Sequence, residues 1–234
     1  MFGGRDLGDL VSSKVVGRSV NAFAMEAMRA AGRAGAEVVS SWVPPEDVVV
    51  RLWLDLRKST DTAGLSELRH ELRARLSQPR GAELVLPDDP ALAYRGALVT
   101  AAMGWDDLFE GGSCDVTFTL FDPVAYGEER TFAGADVTVG GTAATLPIFS
   151  LVAAAGSAVQ VGVAGGRAVR VERAFSGGEA AVIDCEAERV TVAGADAIAD
   201  VTLGSDFFSL SPGECRLAFE GCSSHSVTFS ERWA

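Results

Sequence analysis

Residues 84–99 read LVLPDDPALAYRGALV, with two adjacent carboxylates, Asp88 and Asp89, set between prolines and flanked by apolar runs. Two readings compete. As a catalytic or metal-binding pair, the aspartates would make the chain an enzyme. As the bend between two strands, they make it part of a β framework. Local chemistry favours the bend: proline fixes φ, and Asp side chains accept hydrogen bonds from nearby amides in turns. A general acid/base pair needs polar partners that hold two pKa values apart, and the neighbours here are Leu, Val, Ala and Pro.

The surrounding segments support a β framework. Upstream, Val50, Leu52, Leu54 and Leu56 alternate with Arg51, Trp53, Asp55 and Arg57, the period-2 pattern of a half-buried strand. The period then changes. Leu65, Leu68, Leu72 and Leu76 fall at helical spacing, with Thr60 or Thr62 as N-cap and Pro79 just past the last turn. This predicts one amphipathic helix of about 13 residues whose leucines need a sheet to lie on. After it, AELVLP, YRGALVTAAMGW and CDVTFTLFDP read as strands, the last with Val116, Phe118 and Leu120 on one face and Asp122–Pro123 as its stop. Residues 20–41, VNAFAMEAMRAAGRAGAEVVSS, stay ambiguous: their alanines favour helix, while the glycines and flanking pattern allow a long hairpin or arm.

From about residue 133 the turn signals become denser: Gly140–Gly141, Gly156, Gly165–Gly166, Gly177–Gly178, Gly194, Gly204, Pro212–Gly213 and Gly221. Between them lie AVRVERAF, AAVIDCEA, RVTVAG, CRLAFEG and SVTFSERW, short alternating segments that predict an antiparallel sandwich. The expected organisation is mainly β. Residues 1–132 form a β-barrel-like domain with one α-helix, and residues 133–234 form a β-sandwich.

Composition narrows the function. The chain of 234 residues is 48% hydrophobic and 22% charged, with 26 Gly and 12 Phe against 2 Tyr. Its net charge of −12 repels phosphate backbones and anionic lipid. Arg69, Arg73, Arg75 and Arg80 form a local basic cluster, but Glu67 and Glu71 interrupt it, as on the solvated face of a helix. The N-terminal MFGGRDLGDLVSSKVV lacks a signal-peptide apolar core, which argues against export. Val137–Gly166 carries no charge, yet Pro147 and repeated glycines break it into buried strands rather than a membrane anchor.

Candidate chemistry is sparse. Cys114, Cys185, Cys215 and Cys222 read as buried thiols rather than disulfides. Cys215, Cys222 and His225 could be drawn as part of a zinc site, but the paired C-x-x-C knuckle is missing. No G-x-S-x-G, H-E-x-x-H or G-x-x-x-x-G-K-[ST] motif is present. His70 falls among helix-face arginines and glutamates and reads as solvated. No catalytic, metal or cofactor-binding residue is assigned, and no cofactor is expected.

In order, the segments ELRARLSQPRGAELVLPDDPALAYRGALV, VTFTLFDPVAY, Leu146–Pro147–Ile148–Phe149, Val182–Ile183–Asp184–Cys185, SDFFSLSPGECRLAFEG and the closing FSERW resemble the distal tail protein (Dit) family of long-tailed phages. The resemblance runs from about residue 48 to residue 234; residues 20–41 depart from the family pattern, and Cys215 stands near a place where many relatives carry Asn. It implies a galectin-like second domain and a non-enzymatic virion protein at the distal end of the tail. It also implies a ring, usually of six copies, made by the first domains and joining the tail tube to the hub and fibre or tail-associated lysin. The sandwiches of such proteins project outward to hold baseplate or receptor-binding proteins. DNA would only pass through the lumen, where carboxylates repel it, and no membrane is involved. The alternative is a carbohydrate-binding adhesion module, for which Trp233 is the only tryptophan in the second half.

Overall fold

The computed structural model describes residues 1–18, 23–29, 31–54 and 62–234. Asp55, Leu56, Arg57 and Thr60 of the expected strand and helix cap, and residues 20–22 and 30 of the Ala-rich segment, lie outside these. The chain divides into two compact units, Met1–Ala125 and Tyr126–Ala234.

The first unit runs β1 (Val11–Arg18), β2 (Ala24–Met28), β3 (Glu37–Trp42), β4 (Glu46–Leu54), α1 (Thr62–Leu76), β5 (Ala82–Leu86), β6 (Asp89–Met103), α2 (Trp105–Phe109) and β7 (Ser113–Leu120). β4 is the predicted alternating strand. It buries Val48, Val50 and Leu52 and lies between β1 and β7, with β6 beyond β7 and β5 paired to β6. All these pairings are antiparallel. The leucine stripe of α1 is graded: Leu72 and Leu76 are buried in the same core as Val50, Phe118 and Leu120, while Leu65 and Leu68 are half-buried. Thr62 is the first residue of the helix rather than its cap. Arg75 holds the helix to the N-terminal segment, donating to the Asp6 carbonyl and to the Asp9 and Glu71 carboxylates. Phe2 is fully buried, its ring edge-on to Phe118 at 5.2 Å.

The expectation of a single helix is one short. Gly104, at a left-handed φ of 74°, ends β6 before the predicted strand does, and α2 follows at once. Its Leu108 and Phe109 are buried. A segment of five residues is too short for a 3.6-residue period to show in the sequence.

The second unit opens within β8 (Ala125–Phe132), whose last residue is Phe132. It continues through β9 (Asp136–Val139), β10 (Ile148–Ala153), β11 (Gly156–Val163), β12 (Ala168–Phe175), β13 (Ala180–Asp184), β14 (Arg189–Val192), β15 (Ala195–Asp196), β16 (Gly213–Glu220) and β17 (Cys222–Trp233). One sheet has the order β8-β17-β10-β13-β14-β15 and the other β12-β11-β16-β9. Alternate residues of both sheets point into one core that contains Phe149, Ile183 and Val227 from the first and Val159, Val161 and Val171 from the second. This is the sandwich that the turn spacing predicts. The turns are held by local acceptors: Asp184 Oδ1 takes the amides of Glu186 and Ala187 at 2.9 Å, and Glu179 takes those of Ser176 and Gly177 at 2.8 Å.

Among the described residues no helix is long and apolar enough to cross a membrane. The uncharged stretch 137–166 instead supplies β10, β11 and most of β9.

Candidate functional site

Pro87 and Asp88 are the two-residue turn of the β5–β6 hairpin, with Leu86 paired to Asp89. The two aspartates therefore belong to a bend. Asp88 accepts from Arg18 Nη2 at 2.7 Å, and Arg18 Nη1 reaches the Tyr94 hydroxyl at 3.3 Å, which fastens the hairpin tip to β1. Burial works against the charge on Arg18, but the Asp88 carboxylate outweighs it and holds the guanidinium above its ordinary value.

The remaining sequence candidates are scattered. His70 is exposed on α1. Cys215 lies in β16 and Cys222 starts β17, while the His225 ring stacks on Phe219 with centroids 3.8 Å apart. Among the described residues no group of three or more His, Cys, Asp or Glu is placed to hold a metal ion. Trp233 is half-buried over Gly127, where a β-carbon would come within 2.9 Å of the indole, so its ring serves as packing.

All four cysteines are free thiols. Burial pushes Cys114 and Cys185 up to about 11, with nearby aspartates adding to the effect. The thiolate is the reactive form, so both should resist iodoacetamide at neutral pH in the folded protein. The half-buried Cys215 and Cys222 should label first. Peptide mapping after brief alkylation checks this, and early labelling of Cys114 would show that the first core opens readily.

Sequence reasoning did not resolve the feature that stands out. Among the described residues β2 and β3 form a two-stranded antiparallel ribbon that pairs with no other strand. In the described part of residues 20–41 the hairpin alternative holds and helix does not. Gly32 and Gly35, at φ of 79° and 91°, supply the left-handed positions in the connection, and Val38, Val39 and Trp42 are strand formers. The register puts Met25, Ala27 and Val38 on one face and Ala24, Met28 and Trp42 on the other. Neither face is covered: Phe23, Met25, Met28, Val38, Val39 and Trp42 are all 52–64% exposed. Burying one such side chain is worth about 1.5–3 kcal/mol. Six of them in water on one ribbon mark a surface made for a partner. What could have flagged it is the density of large apolar residues in a segment that fits neither the helical nor the strand period.

Comparisons to known proteins point to the phage tail. Residues 140–233 match the family described as siphovirus-type tail component, C-terminal domain. The distal tail protein of Bacillus phage SPP1 is 25% identical over 245 residues, covering 100% of this chain and 94% of the relative. The crystal structure of the SPP1 Dit protein, described as a paradigm of the hub adsorption apparatus in phages infecting Gram-positive bacteria, superposes with a TM-score of 0.82. It has 21% identity and covers 100% of this chain and 98% of that one. A chain of the phage P2 baseplate aligns over 94% of this chain and 90% of that one, at 6% identity and a TM-score of 0.43. These relatives are structural tail proteins, not enzymes. Over its whole length the chain is similar to the distal tail proteins (Dit) of long-tailed phages, and this similarity supports a structural role in the phage tail.

Proposed function

We propose that this protein closes into a ring at the distal end of the virion tail and there joins the tail tube to the baseplate hub and fibre. The observation that carries the reading is the β2–β3 ribbon, apolar and exposed on both faces. A closed ring needs heterologous contacts, in which one patch of a copy meets a different patch of the next. With a net charge of −12, copies repel one another at long range, so apolar burial has to supply the attraction. In this reading the first unit makes the ring, six copies being the count that the family resemblance implies. The sandwich unit offers its surface to receptor-binding or other baseplate proteins, and DNA meets only an acid-rich lumen.

Electron microscopy of the assembled particle, or of this protein mixed with its tube and hub proteins, tests the proposal. A ring coaxial with the tube end is expected. Density for one central copy, or for copies scattered along fibres and absent from the tube end, would overturn it. Dilute solution is the wrong place to look, since a ring that assembles only with its neighbours runs there as a monomer.

A further inference from the structure

The first unit also carries a second apolar surface, which faces solvent and is distinct from the ribbon. A groove of about 470 Å³ runs between the end of α1 and β6, lined by Leu76, Pro79, Leu98, Val99, Ala102 and Trp105. Arg73 stands at its side. The ribbon of the same molecule does not fill this groove, because its own apolar side chains are in water.

We propose that the groove receives the Trp42-bearing face of the ribbon from the next copy. The inference rests on the ring reading and deepens it by naming both halves of the contact. Three observations carry it. Both surfaces are present on every copy, which a repeating head-to-tail contact requires. Trp42 is the largest exposed side chain of the ribbon, and interface anchors are enriched in tryptophan seated in apolar pockets. The charges also match. Glu26 and Met28 alternate with Ala24 along β2, and Ala24 pairs with Trp42, so all four share one face; Glu37, which pairs with Met28, joins them there. That face therefore brings two carboxylates to a groove flanked by the Arg73 guanidinium. The other face, with Met25, Ala27 and Val38, carries no charge and has no such counterpart in the groove.

Two full-length variants, Ser40→Cys and Ala102→Cys, both at exposed positions, are mixed with the tube and hub proteins and treated with a short bismaleimide. Its reach tolerates a few ångströms of misplacement. Each variant carries only one new thiol, so a peptide joining positions 40 and 102 can arise only between copies. The expected result is that peptide in digests of the mixture, its absence from either variant alone, and its loss when Trp42→Asp is added to the Ser40→Cys chain. The unfolding transition of the Trp42→Asp chain should stay unchanged, because the side chain is already in water. A coaxial ring without the 40–102 peptide, or with position 40 joined to a tube or hub protein instead, overturns the groove contact and leaves the ring reading standing. The 40–102 peptide in a sample without rings upholds the contact and removes the ring. Absence of both removes both.

Discussion

Gly221→Ala is expected to destabilise the second unit by roughly 2–5 kcal/mol, the sum of about 1–2 for a left-handed L-residue and about 1–3 for overpacking. Gly221 turns the chain from β16 into β17 at φ 69°. A β-carbon there would lie 2.1 Å from the Ala158 carbonyl oxygen, a backbone atom fixed in β11 and unable to swing aside. Gly165 is the matched control, since it has a similar φ of 75° with nothing within 4 Å of a β-carbon. Gly165→Ala should therefore show only the conformational part, about 1–2 kcal/mol. Urea unfolding of the full chain, with hydrogen exchange in β11 and β16 as a local readout, measures both. Equal costs for the two variants would mean that the strands relax around the added methyl.

Leu72→Ala should cost about 2–5 kcal/mol in the first unit, the range for leucine truncations in packed cores. Leu72 is fully buried among the strands of that unit, and Arg75 ties the helix to the N-terminal segment through the Asp6 carbonyl and the Asp9 carboxylate. The helix therefore cannot shift far to refill the cavity. Leu68→Ala, at a half-buried position, should cost less, and Glu67→Ala, on the exposed side, should stay within about 0.5 kcal/mol of the parent. A neutral Leu72→Ala would show α1 to be a loose appendage.

How much was legible depended on where each segment is buried. β4, β5, β7 and most strands of the sandwich pack one face against their own core, so alternation appeared directly in the residues, as at Val50 and Leu52. The α1 leucines were equally plain, since a single stripe meets a single sheet. The bend at Asp88 could be read from proline and Asx chemistry alone. β1 was missed, because of its eight residues only Val11 is buried, and Ser12, Ser13, Lys14 and Gly17 leave no period to see. The ribbon was left open for a related reason. Its apolar residues answer to no core in their own chain, so intramolecular periodicity has nothing to act on. A surface destined for another molecule is written as composition rather than as pattern. The family resemblance, which runs from about residue 48 to residue 234, departs at residues 20–41, the same segment.

The position of β17 constrains how the protein is made. β17 is the last strand of its unit in sequence, yet it lies inside its sheet, with β8 on one side and β10 on the other. Until residues 222–233 have left the ribosome, β8 and β10 each present an unpaired edge, and the sheet lacks the strand that joins them. Folding of this unit therefore waits until β17 has been synthesised, with a contact between β8 and β17 that spans most of the unit's length. A nascent chain stalled short of Cys222 would carry two open strand edges able to pair with other chains. The interval between synthesis of β10 and release of β17 is therefore when the second unit is most exposed to aggregation.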